Sequence, residues 1–164
     1  MNRKNKTVTV ALQRKTLLYD ISLKAFLLSD TIKDDKEKAA KLSEVTREDR
    51  IARVNAWLNE AFNNLKSAAS EYTGVYDETA TSEVDSLMTS ADSYAITLNM
   101  PYCFPESLSV DLTKAAHDYM VNYTLSCWLT MFYPDMVKPS TDEATLNLTA
   151  WSNDLTIRVA PDYI

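Results

Sequence analysis

The spacing of apolar positions changes several times along the chain, and each change marks an element. Residues 7–12 alternate, with Val8, Val10 and Leu12 on one side, which predicts a short strand or an extended arm. From about residue 13 to 32 the period is helical. Leu17, Ile21, Lys24/Ala25 and Leu28 form one stripe there, and Leu18 and Phe26 widen it. The charged run at 33–38 reads as a solvated loop or a frayed helix. Thr46-Arg-Glu-Asp49 has the composition of a helix start, with an acceptor at the cap and acids in the first turn. Behind it Ile51, Val54, Leu58, Ala61/Phe62, Leu65, Ala68/Ala69 and Tyr72 recur at helical spacing, and Gly74 stands where a left-handed C-cap is wanted.

Residues 75–92 are polar, acidic and weakly periodic, and predict a long loop. Tyr94, Ile96, Leu98 and Met100 then alternate with smaller or polar residues up to Pro101, the pattern of a strand. A lone strand needs a partner, either within the chain (Val8–Leu12 or residues 75–88) or on a neighbouring subunit. A strong helix follows from 107 or 109 to about 133, stopped by Pro134. Leu108, Leu112, Ala115/Ala116, Tyr119, Tyr123 and Cys127 form its inner stripe. Met120, Leu125, Trp128, Leu129 and Phe132 spread apolar surface well round the cylinder. Such a helix is central to a bundle or part of a subunit interface. Ser140-Thr-Asp-Glu143 matches a capping box opening a last helix with Leu148, Trp151, Leu155 and Arg158.

The expected fold is therefore mainly α, a bundle of about four helices with a small β-hairpin or extended arm. It forms one domain over 1–164: an arm at 1–12, a bundle at 13–158 with a β insertion around 75–101, and a tail at 159–164. Composition strengthens this picture. The chain holds a single glycine, Gly74, where average usage gives roughly eleven. A phosphate-cradling loop or a dinucleotide fingerprint needs two or three glycines at fixed spacing, so both are excluded. The basic first residues are followed by no apolar run of signal-peptide type, and no stretch approaches a membrane span. Cys103 and Cys127 read as reduced, partly buried thiols.

Charge is unevenly placed. Residues 1–58 carry thirteen basic and eight acidic side chains, and residues 59–164 carry four basic and fifteen acidic. Opposite signs on opposite faces suit head-to-tail association of copies. A sequence pI near 4.8 argues against nucleic-acid binding, while an acidic surface would let DNA slide past without sticking.

Candidate chemistry is sparse. His117 is the only histidine and sits among core positions of a helix. Cys127 lies ten residues further along that helix, roughly 15 Å away, too far for a direct hydrogen bond. Asp34-Asp35 and Glu48-Asp49 read as solvated or helix-start acids, and one histidine with two distant cysteines makes no zinc site. The expectation is a structural or interaction subunit with no catalytic residue, no cofactor and no metal. The residues expected to meet other subunits come from the strands (Val8, Val10, Tyr94, Ile96, Leu98), the over-apolar helix (Met120, Trp128, Phe132) and the tail (Tyr163).

Three blocks carry a family resemblance: QRKTLLYDI at 13–21, ADSYAITLNMP at 91–101, and AHDYMVNY at 116–123 followed by Trp128-Leu129. In order and across nearly the whole chain they resemble small head–tail connector (neck adaptor) proteins of tailed bacteriophages. The resemblance implies a helical bundle with a β-hairpin or arm, assembled as a ring, commonly of twelve copies, on the portal vertex. DNA would pass through its lumen without sequence-specific binding. The implied partners are further copies, the portal protein and other neck or tail proteins, with no membrane. The implied location is the virion neck, after assembly in the host cytoplasm. It implies no catalytic residues, and it gives the 1–12 arm and the 160–164 tail a use as segments inserted into neighbouring rings. The non-viral alternative is a helical interaction module without enzymatic activity.

Overall fold

A computed structural model describes residues 5–73 and 92–158. Among the described residues seven elements of regular α or β structure follow one another: β1 (Lys6–Gln13), α1 (Arg14–Asp30), α2 (Lys36–Ser43), α3 (Ile51–Ala68), β2 (Ser93–Met100), α4 (Leu108–Phe132) and α5 (Val137–Thr156). A single 3-10 turn, Pro134–Met136, joins the last two. The expected mainly helical bundle with a small β element is what the described residues form, the β element being a two-stranded antiparallel sheet and the helices numbering five where about four were expected.

The two strands answer each other's need for a partner. They pair antiparallel, with Val8 opposite Leu98, Val10 opposite Ile96 and Leu12 opposite Tyr94. These residues and Met100 point inward, while Thr7, Thr9, Ala11, Ala95, Thr97 and Asn99 face out, the period of two expected of a half-buried ribbon. Of the two in-chain alternatives, pairing with 8–12 is formed. Residues 75–88, the other alternative, lie outside the described residues, as do Gly74, residues 1–4, the remainder of the 75–91 segment and the 159–164 tail.

Helix α4 is the axis of the bundle. It packs on α5, α3, α1, α2 and β1, so Leu112, Ala116, Tyr119, Met120, Val121, Leu125, Trp128 and Leu129 are all buried although they point to different sides. That surrounding explains why its apolar residues are spread round the cylinder. The indoles anchor neighbouring backbone. Trp128 Nε1 donates to the Leu42 carbonyl at 2.9 Å, and Trp151 Nε1 donates to the Leu65 carbonyl at 3.2 Å. Each thereby satisfies the one polar atom that burying an indole would otherwise orphan.

Four local expectations are corrected. The charged 33–38 run leads into a genuine helix, α2, capped by Asp35, whose carboxylate accepts from the Lys38 amide at 3.1 Å. Glu37 in its first turn and Lys41 in its last complement the helix dipole. Next, α3 starts at Ile51 and not at Thr46: residues 44–50 form turns in which Arg47 pairs with Glu44 (3.0 Å) and Asp49 (3.1 Å), so the acids serve an ion cluster and not a cap. Its other end closes at Ala69, whose amide reaches the Leu65 and Lys66 carbonyls, before any glycine is met. Finally, Ser140 is not an N-cap. The 3-10 turn feeds straight into α5 at Val137, Pro139 is tolerated in that first turn, and Ser140 is buried inside the helix.

Candidate functional site

Helix α1 runs parallel to α4, because Asp20 meets His117 and, a turn later, Lys24 meets Asn122. These contacts join residues almost a hundred positions apart, which is why neither was visible as a motif. Lys24 Nζ donates to Asn122 Oδ1 at 2.9 Å, and Asn122 Nδ2 donates to Asn147 Oδ1 at 2.8 Å, so a polar seam pins α1, α4 and α5 together. His117 Nε2 and Asp20 Oδ2 lie 2.5 Å apart, both half-buried. The pair sits at the edge of an open groove of about 520 Å³ between β1 and the first turns of α4, lined by Thr9, Ala11, Gln13, Thr16, Val110 and His117 among others.

An acid–imidazole pair orients a ring, and nucleophilic chemistry further requires an activated hydroxyl or thiol within reach of it. Thr113, a hydroxyl of the same groove, donates to the Ser109 carbonyl at 2.8 Å. Cys127 is on a different side of α4, packed near Tyr123 and Glu60. Its burial, and then the nearby Glu60 carboxylate, raise its thiol above the ordinary range, so it is held protonated at neutral pH. Burial likewise raises Tyr123, reinforced by its hydrogen bond to Glu60. Tyr119 is raised by burial while accepting a hydrogen bond from Asn64 Nδ2 at 3.0 Å. These neutral hydroxyls and thiol bind α3 to α4. Cys103 and Cys127 are unpaired. Among the described residues no group of three or more His, Cys, Asp or Glu could hold a metal ion. Among them, too, no helix is long and apolar enough to cross a membrane.

The residues expected to meet other subunits are placed differently. Val8, Val10, Tyr94, Ile96, Leu98, Met120 and Trp128 are buried in the subunit's own core, where the strands pair with each other and α4 is ringed by neighbours. Tyr94 in addition donates its hydroxyl to Asn59 Oδ1 at 2.8 Å. These seven are thereby corrected from intersubunit to intrasubunit contacts. Phe132 is half-buried, its ring 4.5 Å from that of Trp128, with the Arg50 guanidinium 5.0 Å above it. Tyr163 lies outside the described residues.

Bare apolar surface is found instead on α1. Tyr19, Leu23, Phe26 and Leu27 are 67, 44, 52 and 55% exposed. At 100° per residue they fall within one arc of about 100°, opposite the arc of Leu17, Ile21 and Ala25 that faces the core. Phe26, expected to widen the core stripe, belongs to this outer one. The second stripe was legible in principle: plotting every apolar residue of 14–30 on a wheel shows two faces.

No protein-family model, curated protein or solved structure matches this chain significantly.

Proposed function

We propose that this chain is a non-enzymatic structural subunit that works by association, and that its setting is the neck of a tailed-phage virion. There it would be a head–tail connector subunit, one of about a dozen in a ring on the portal vertex, forming part of the channel through which DNA passes. The observation that carries the associative part is the outward face of α1, four large apolar side chains on a helix already satisfied on its core side. Opposite net charge in the two halves of the sequence adds a means of ordering neighbours. The phage setting rests on the resemblance of the three sequence blocks, and the mainly helical bundle with a small two-stranded sheet is compatible with what that resemblance implies.

Purified protein mixed with portal and imaged in negative stain should give portal rings bearing extra density. Raising salt to about 1 M, where charges are screened within about 3 Å, should weaken that decoration if charged faces order the ring. A protein that never binds portal would remove the virion reading. It would favour the alternative that the same α1 face also fits, a non-viral helical interaction module.

A further inference from the structure

We infer that the outer face of α1 pairs with the same face of a second copy, the two α1 helices running antiparallel about a two-fold axis near Leu23. The inference does not depend on the virion reading. It starts from what the stripe lacks: Tyr19, Leu23, Phe26 and Leu27 stay exposed although α1 already packs on β1, α2 and α4 through its other face. With roughly 150–250 Å² for each large apolar side chain, their exposed fractions leave on the order of 450 Å² bare. Paired with itself, the stripe buries about twice that, and the residues around it bring the total to the ~1,000 Å² that a specific interface needs.

Charge selects the second copy as occupant and fixes its direction. Lys15 and Asp30 lie on this side of α1, both exposed, eight residues before and seven residues after Leu23. At 1.5 Å per residue they stand about 12 Å and 10.5 Å from the centre of the stripe. An antiparallel copy centred on Leu23 therefore sets Lys15 of each helix near Asp30 of the other, closing both ends of the apolar strip with opposite charges. The same register lays Tyr19 of one copy over Phe26 of the other. A parallel copy would instead set Lys15 near Lys15 and Asp30 near Asp30. Such a contact is isologous and closes at two, whereas a ring needs a heterologous contact. The pairing thus belongs to the free subunit, and ring formation would displace it so that the same face meets a neighbour heterologously.

The test uses the full chain without portal. Light scattering after size exclusion should give a dimer at tens of micromolar, and F26D should give a monomer with unchanged helical content. K15D should weaken the dimer at least tenfold, and K15D combined with D30K should restore it, because the pair is reciprocal. In a C103S/C127S background, L23C should form an intermolecular disulfide under mild oxidation, since residue 23 faces its own copy. A wild-type monomer throughout, a dimer untouched by F26D, or a charge swap that fails to restore K15D while both variants keep their fold would each overturn the pairing. Portal decoration by a protein that stays monomeric in solution would sink the pairing and leave the connector reading standing. A dimer that ignores portal would do the reverse.

Discussion

Helices α1 and α4 look alike in sequence, since in both the apolar residues are spread round the cylinder, yet the fold treats them in opposite ways. Around α4 most of the circumference is covered by the subunit's own elements, so its apolar residues form the centre of a core, with Val110 and Met131 near its two ends left exposed. Around α1 only half the circumference is covered, and the other half carries Tyr19, Leu23, Phe26 and Leu27 into solvent. An all-round apolar helix is thus either central or waiting for a partner, and only the positions of its neighbours distinguish the two. The sequence pattern left α4 as either central or part of an interface, and the structure makes it central, while the bare apolar face belongs to α1.

The largest expected effect separates the two helices directly. Trp128 on α4 is 1% exposed and donates to the Leu42 carbonyl, with the Arg50 guanidinium 5.4 Å from its ring. Trp128→Ala should cost about 3–5 kcal/mol in a denaturant titration. Phe26→Ala, also the loss of a large aromatic, should cost at most about 1 kcal/mol because the site is half in water. Equal losses at the two positions, measured at a concentration low enough to keep the chain monomeric, would erase the distinction.

Between the helices lies the polar seam. Asn122→Ala removes the acceptor for Lys24 and the donor to Asn147 at one stroke. Lys24 is exposed and can rehydrate, while Asn122 is buried, so the expected cost is about 1–2 kcal/mol. Because the seam joins α1 to α4, amide exchange in α1 should accelerate more than in α3. Uniform acceleration would mean that α1 is not held by this seam.

Elements whose periodicity is decided by one-sided burial were legible in the sequence. The alternation at 93–100 and the inner stripe of α3 follow from it, while the end of α4 was marked by Pro134, and together these gave the mainly helical class. Three kinds of feature escaped. Helix α2 buries only Leu42, so there was no stripe to read, and its boundary is set by the Asp35 cap. Turns at 44–50 use acids for ion pairs with Arg47 and Arg50, which composition alone cannot tell from helix-start acids. The third kind is long-range: Asp20 with His117 and Lys24 with Asn122 depend on α1 lying parallel to α4, and the exposure of Phe26 depends on what fails to cover it.

The inner face of α4 also predicts a chemical contrast. Cys127 has its thiol raised, first by burial and then by the Glu60 carboxylate, so the thiolate fraction at pH 8 is smaller than for a free thiol. Labelling by a thiol-specific reagent should be slower than for a model thiol of ordinary pKa near 8.5, and the midpoint of its pH profile should lie above that value. Glu60→Gln should move the midpoint down only slightly, because burial is the larger cause. The sign follows from linkage. A thiol raised in the folded state costs no stability below its unfolded pKa, and the fold loses stability only as pH rises beyond that value. A fast-reacting Cys127 at neutral pH would mean that this side of α4 opens to water.

The smallest effect concerns the mirror image of the bare α1 stripe. His117, Val121, Thr124 and Trp128 recur at helical spacing along α4, and His117 and Trp128 at its two ends contact α1 and α2 respectively. Thr124 lies between them, fully buried, and its hydroxyl has no hydrogen-bond partner among the described residues. So α1 leaves apolar surface in water on one side and lies on the side of α4 where an unmatched hydroxyl is buried. An unsatisfied buried hydroxyl costs about 1–3 kcal/mol to desolvate, and replacing it with an apolar group of the same shape recovers part of that. Thr124→Val, which exchanges the hydroxyl for a methyl on the same branched frame, should raise the midpoint of thermal unfolding by the equivalent of up to about 1 kcal/mol. It should leave the proposed α1 pairing unchanged, because Thr124 is fully buried in the core while the outer stripe is exposed. Loss of stability in this variant would mean that the hydroxyl has a partner on the α1 side, and that the covered face of α4 is wetter than its apolar neighbours indicate.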